Sequence, residues 1–268
     1  MFDRGACLAL LLSTASLASG SDLAAVDMVR LAFEREDTQD ALRTQYIFRE
    51  HAERWGVGRD GKRGKLTFTR DFENIYLEGE LFRKLVAKNG RSLKGKEAAE
   101  EDRRMQMTAA ERRAHSAVTS RKQKVFSPCE GSRAEILRMS EHVLLRQESP
   151  AGHPVWVVQS TPRSGLSSPS EQKAAAYKHI YWIDSEEHAI TQEYCEVINA
   201  GVDTLPGSWI RRENSRTNES LWLIHALETE SFTADGAHWF QTHRFFDFRR
   251  FGAETTVTFD GVGTVSQN

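Results

Sequence analysis

A chain of 268 residues, 39% hydrophobic and 28% charged, has room for one large domain or at most two small ones, with a substantial core. Its formal net charge of -2 gives no bulk attraction to nucleic acid. The uncharged apolar run from Cys7 to Ala18 is too short for an ordinary membrane span, and no later stretch could cross a bilayer. Arg4 precedes that run and the small residues Ala18 to Ser21 follow it. This order predicts a secretory signal peptide over residues 1–20, with Asp3 weakening its positive start, and a single domain over 21–268.

Beyond the leader, SDLAAVDMVRLAFERE reads as a helix. Ser21 or Asp22 is expected to cap it, and Leu23, Val26, Val29, Ala32 and Phe33 recur at helical spacing on one face. The pattern then changes to period two. TQYIFREHAERWGV, LTFTRDFENIYLEG and LFRKLVAKNG predict three consecutive antiparallel strands, turned first at the charged loop Arg59 to Lys65. Asn89-Gly90 supplies a tight turn where left-handed backbone costs little. From Lys94 to about Lys124 the period is helical again, with a narrow apolar stripe of Met107, Ala110, Ala114, Ala117 and Val118. That stripe predicts a cover helix with its other sides in solvent. A short helix follows near Ala134 to Met139.

The rest reads as β-structure: two strands around Pro150-Ala151-Gly152, a hairpin turned at Asp184 to Glu187, two strands around Thr217-Asn218-Glu219, and two more in AHWFQTHRFFDFRRFGAETTVTF. Strands in regular succession with short turns predict an antiparallel meander.

Searches for chemistry return little. Nine histidines include no His-Glu-x-x-His pattern, and no Cys-x-x-Cys pair occurs. His238 and His243 fall on opposite faces of a strand, whereas His179 and His188 flank a hairpin turn. There is no nucleophile elbow, no glycine-rich phosphate loop and no pairing of carboxylates for acid–base work. The basic doublets Arg103-Arg104, Arg112-Arg113 and Arg121-Lys122 stand nine residues apart, so successive ones face opposite sides of a helix. A phosphate-binding stripe needs one side, so these doublets read as a solvated face. No catalytic residue, metal or cofactor is expected. Cys129 and Cys195 remain after the leader, and either one disulfide or two unpaired thiols fits the sequence.

The aromatic residues form the more informative set. Phe48, Phe68, Phe72, Tyr76, Trp156 and Trp182, with Trp239, Phe245 and Phe246, lie on predicted strands. They fit a core packed between helices and sheet, and equally the lining of an apolar ligand cavity on a curved sheet.

Taken in order, this chain resembles the lipoprotein-sorting superfamily. That group includes the periplasmic lipoprotein carrier, the outer-membrane lipoprotein receptor and the sensor domain of an envelope-stress regulator. The resemblance is carried by YIFREHAERWGVGRDGKRGKLTFTRDFENIYLEGELFRKLVAKNGRSLKGKEAAEEDRR, GHPVWVVQSTPRSG and HIYWIDSEEHAI, and it covers nearly the whole mature chain. It implies an α+β fold: a large curved antiparallel sheet, an incomplete barrel, with helices packed on its concave side. It also implies an exported, non-catalytic protein of the periplasm or outer envelope, with peripheral membrane contact possible. On that reading the chain binds a lipid, an acylated protein or another apolar ligand. The six aromatic residues Phe48, Phe68, Phe72, Tyr76, Trp156 and Trp182 are then the cavity candidates. The alternative is a structural or sensory interaction domain whose core is filled by its own side chains.

Overall fold

The computed structural model describes residues 23–115, 132–165, 171, 175–199, 205–217 and 220–251. Helix α1 (Ala25–Arg43) contains neither glycine nor proline, with Asp27 in its first turn and Arg43 in its last, where each complements the helix dipole. Its N-cap is Ala24, which makes no side-chain capping bond, so the capping expected from Ser21 or Asp22 is not used at this start. The buried stripe is Met28, Val29, Ala32, Phe33, Glu36 and Gln39. Leu23 and Val26, expected on the same face, stay exposed. The helix thus extends a full two turns past its apolar stretch, and those turns bury polar groups.

Three long strands follow: β1 (Tyr46–Val57), β2 (Arg63–Leu77) and β3 (Glu80–Lys88), with the short β4 (Arg91–Ser92) after them. Glu78-Gly79 and Asn89-Gly90 both take positive φ at two successive residues. That backbone matches the twist of a two-residue hairpin, which glycine and asparagine adopt at low cost. Helix α2 (Lys96–His115) comes next, then α3 (Arg133–Met139), which begins in a capping box between Ser132 and Glu135. The second half of the chain is a meander of seven strands: β5 (Ser140–Glu148), β6 (Val155–Pro162), β7 (Tyr177–Asp184), β8 (Ile190–Val197), β9 (Trp209–Arg216), β10 (Trp222–Phe232) and β11 (His238–Arg250). Two strands were expected beyond Ala237; the described residues form one continuous strand there, and residues 252–268 lie outside the described set.

All strands join one antiparallel sheet in the order β4-β3-β2-β1-β11-β10-β9-β8-β7-β6-β5. Every neighbour is also a sequence neighbour except β1 and β11, which pair from Tyr46↔Arg250 to Gly56↔Trp239. That pairing fuses two local meanders into one open α+β half-barrel. Helix α1 lies on the concave side against β5, β6 and β7, with α3 beside it. A first core cluster joins Met28, Val29, Ala32 and Phe33 to Trp156, Val158, Tyr181, Ile183 and Ile190. A second, nearer the middle of the sheet, joins Tyr46, Phe48, Leu227, Phe245 and Phe248.

Helix α2 departs from its expected role. Met107 is 57% exposed, and Ala110 and Ala114 are exposed too, while Ala117 and Val118 lie outside the described residues. The docked stripe is instead Ala98, Glu101, Met105, Thr108 and Arg112. It lies along the outer edge of β3, whose backbone groups are unpaired beyond β4. Glu101 accepts from the amide of Leu85, Arg104 donates to the carbonyl of Arg83, and Arg112 donates to the carbonyls of Leu77, Glu80 and Leu81. A strand edge offers hydrogen-bonding groups rather than apolar surface, so the matching helix face is polar. Two of the supposedly solvated arginines, Arg104 and Arg112, are therefore structural.

Candidate functional site

Register assigns the side chains of the sheet to two faces, because directly paired residues of antiparallel strands share one. On the concave side stand Trp156, Ile183, Val158 and Tyr181 (β6, β7), Glu193 (β8), Arg212 (β9), Leu227 (β10), His243 (β11), Ala52 (β1) and Arg70 (β2), linked pair by pair across the sheet. The two ends of this face differ in what covers them.

Under α1 the concave face is covered by buried side chains. Phe33 meets Tyr181 edge-on at 5.5 Å between ring centroids. Where the apolar stripe of α1 ends, Glu36 enters the interior, 1% exposed. Arg43 holds it with two bonds of 2.8 and 3.0 Å, and Arg212 and Arg133 approach at 3.4 and 3.5 Å. Burial alone would raise the Glu36 carboxyl, but the three guanidinium groups outweigh it and draw its pKa down to about 2. Arg212 also meets Glu193 at 3.2 Å, and His179 lies 3.4 Å from the same carboxylate. Burial pushes Glu193 up, and Arg212 and His179 bring it below the usual carboxylate range. Gln39 closes the far end by accepting from the amide of Trp222.

The other end, from β11 through β3, carries a second buried carboxylate. Glu50, fully buried, accepts from Arg83, from Asn74 at 3.2 Å and from His243 Nδ1 at 2.6 Å. Burial raises this carboxyl, and the hydrogen bonds from His243 and Arg83 overcome that and lower it. Beside this network the floor is aromatic and only half covered. Phe68 and Phe72 are partly exposed, Arg83 stacks over the Phe72 ring at 4.2 Å, and Arg54 and Arg70 stack over Phe68. Between this floor and α2 runs an open groove of about 480 Å³, lined by Phe72, Leu81, Phe82 and Leu85 together with arginines from both elements.

The structure therefore distributes the six aromatic candidates. Phe48, Phe68, Phe72 and Tyr76 share the concave face of β1 and β2, since Phe48 pairs with Asn74 and Phe68 with Arg54. Phe48 is packed in the central cluster, and Tyr76 borders it with its hydroxyl pushed up to about 12, chiefly by burial. Trp156 lies under α1, in the filled end. Trp182 pairs with Val157 and Gln192 and so stands on the opposite face of the sheet. The sequence reading passed over Glu36, Glu50, Arg54, Arg70 and Arg212. Their signal was a charged residue in phase with an apolar stripe, as Glu36 is with Met28, Ala32 and Phe33. Cys195, on the concave face and fully buried, is disulfide-bonded, and its partner lies outside the described residues. Among the described residues no cluster of His, Cys, Asp and Glu could hold a metal, and no helix is long and apolar enough to cross a membrane.

No family model and no curated protein matches the chain. Solved structures do. The chain is similar to a domain described as an outer membrane lipoprotein-sorting protein from Vibrio parahaemolyticus, at 12% identity and a TM-score of 0.42, over 86% of this chain and 95% of that one. It is similar to a LolA superfamily protein from Nitrosomonas europaea at 10% identity and a TM-score of 0.36, over 84% and 94% of the two chains. A DUF1329 family protein from Desulfovibrio piger follows at 10% identity and a TM-score of 0.35, over 85% and 94%.

Proposed function

We propose that this is an exported envelope protein that binds rather than transforms its ligand, a lipid or an acylated protein, along Phe68 and Phe72 beside α2. One observation carries the reading: the α1 end of the concave face is covered by a cluster of buried side chains, whereas at the β2–β3 end the half-covered ring of Phe72 lines a groove of about 480 Å³, with Phe68 beside it. That volume falls within the range of small-ligand sites. Each methylene removed from water there gains about 0.8 kcal/mol, so a short length of chain suffices for measurable binding. Export rests on the leader expected over residues 1–20. The packing of the α1 end favours a second reading, an interaction domain with a filled core, in which the groove receives nothing.

Mass spectrometry of an organic extract from detergent-free protein, purified from the envelope, separates the two. Binding predicts acyl species in amounts comparable to the protein, reduced in a Phe72→Asp variant that keeps the wild-type circular dichroism. An extract empty of acyl species, with no uptake of a added fatty acid in native mass spectra, sinks the binding reading.

A further inference from the structure

The charges in and beside the groove do not balance, and the imbalance is local. Arg83 is paired with Glu50, Arg104 with Glu101, and Arg112 with Glu80 at 3.1 Å. Arg54 and Arg70 meet no carboxylate among the described residues. Arg54 gives both of its hydrogen bonds, of 3.1 and 2.9 Å, to the neutral side-chain oxygen of Gln241. The two guanidiniums nevertheless share one aromatic neighbour, Phe68. Arg54 pairs directly with Phe68 across β1 and β2, and Arg70 is two residues further along the same face. Their central carbons lie 4.9 and 4.4 Å from the centroid of that one ring, and Arg54 also covers Trp239 at 4.4 Å. Diagonal like charges on one sheet face oppose each other. Burial and then the charge of Arg70 both lower the pKa of Arg54, as expected of a cation in an uncompensated site. Aromatic faces offset part of this cost, and an anion would remove the rest.

We infer that the ligand of the groove is an anionic lipid whose headgroup phosphate is bound by Arg54 and Arg70 and whose first chain segment lies along Phe68 and Phe72. The inference rests on the binding reading above and adds the headgroup chemistry to it. Alternation along β2 supports a lipid over a free anion: Phe68, Arg70 and Phe72 follow one another on the same face, so cation and apolar surface are interleaved at one site. Phe72 and Arg70 line the groove that continues to Leu81 and Leu85, and Arg54 and Phe68 stand on the same face just outside that lining.

The test uses the mature chain and three probes, each below its micelle-forming concentration where one exists: decyl phosphate, decyl maltoside and inorganic phosphate, titrated calorimetrically at low and at moderate salt. The expected result is decyl phosphate binding at least tenfold tighter than decyl maltoside, with the advantage shrinking as salt rises. An Arg54→Gln/Arg70→Gln variant should reduce decyl phosphate to the affinity of decyl maltoside, while Arg54→Lys/Arg70→Lys keeps most of the difference. Equal affinities for the two amphiphiles overturn the headgroup assignment and leave the apolar groove standing. Binding of neither amphiphile overturns the groove reading itself. Inorganic phosphate binding as tightly as decyl phosphate also overturns the inference, because the site would then be one for a free anion. The comparison of probes on the wild-type chain decides the matter even where the glutamine variant fails to fold.

Discussion

Glu36→Gln is the sharpest probe of the filled end of the sheet. The side chain keeps its shape and loses only its charge, leaving Arg43 and Arg212 buried beside a neutral amide. The magnitude follows from linkage. The carboxyl has a pKa of about 2 in the folded protein against an ordinary value of 4.5, and a group depressed on folding stabilises the fold at pH above its unfolded value. At pH 7 the difference corresponds to about 3 kcal/mol. That stability is lost as pH falls from the unfolded value through the folded one, and roughly half of it or less remains at pH 3. An independent expectation, the cost of removing one partner from a buried ion pair, is roughly 3–5 kcal/mol. Urea unfolding of wild type and Glu36→Gln, followed by circular dichroism at pH 7 and at pH 3, should therefore show a gap of about 3 kcal/mol that roughly halves in acid. A gap below about 1 kcal/mol at pH 7, or one of equal size at both pH values, would refute the assignment of Glu36 as a charge held by the arginines.

Three further outcomes are expected. Phe33→Ala removes the ring that meets Tyr181 under α1 and should cost about 3–5 kcal/mol in the same unfolding assay, with no change in groove ligand uptake. Arg112→Ala leaves the carbonyls of Leu77, Glu80 and Leu81 to solvent, so hydrogen exchange at β3 should accelerate and light scattering should report association through the freed edge; unchanged exchange at the Leu85 amide would show that α2 does not guard it. Reduction of the Cys195 disulfide should lower stability by roughly 2–4 kcal/mol, and non-reducing peptide mapping should join Cys195 to Cys129, since Cys7 falls in the expected leader.

Local pattern made most of the sheet legible. Most of the hairpins from β1 to β4 and from β5 to β10 are announced by period-two side chains and a short turn rich in glycine, asparagine or proline, while the β7–β8 turn closes on Asp184 to Glu187 without any of these. The pairing of β1 with β11 has no such window. Phe48 and Phe245 come together across nearly two hundred residues, and nothing in either strand names the other. Helix α2 was misread for a related reason. Its docking partner is a row of β3 backbone groups, which carry no side-chain signature, so Met107 and Ala110 looked like the contact face while Glu101 and Arg112 were making it.

The candidate site was visible as a set of aromatic residues and invisible as a place. Trp156 and Trp182 look equivalent in sequence, but Trp156 pairs with Ile183, and that register alone sends Trp182 to the other face. Charge placement was harder still. An arginine on a strand reads as solvent-facing until its neighbours are known, and Arg54 becomes informative only once β1 is flanked by Phe68 on one side and Gln241 on the other. The same holds for Arg70, whose position gains meaning from the ring it shares with Arg54. The buried carboxylate of Glu50 answers Arg83, the groove-lining arginine of β3, and no carboxylate among the described residues answers Arg54 or Arg70. An acid or a neutral residue at one of the two positions would be the more stable arrangement, because the charge of Arg70 opposes that of Arg54. An anion arriving from outside the chain would relieve that repulsion. The headgroup titration bears on that step directly, and the Glu36 experiment leaves it untouched because it probes the opposite end of the sheet.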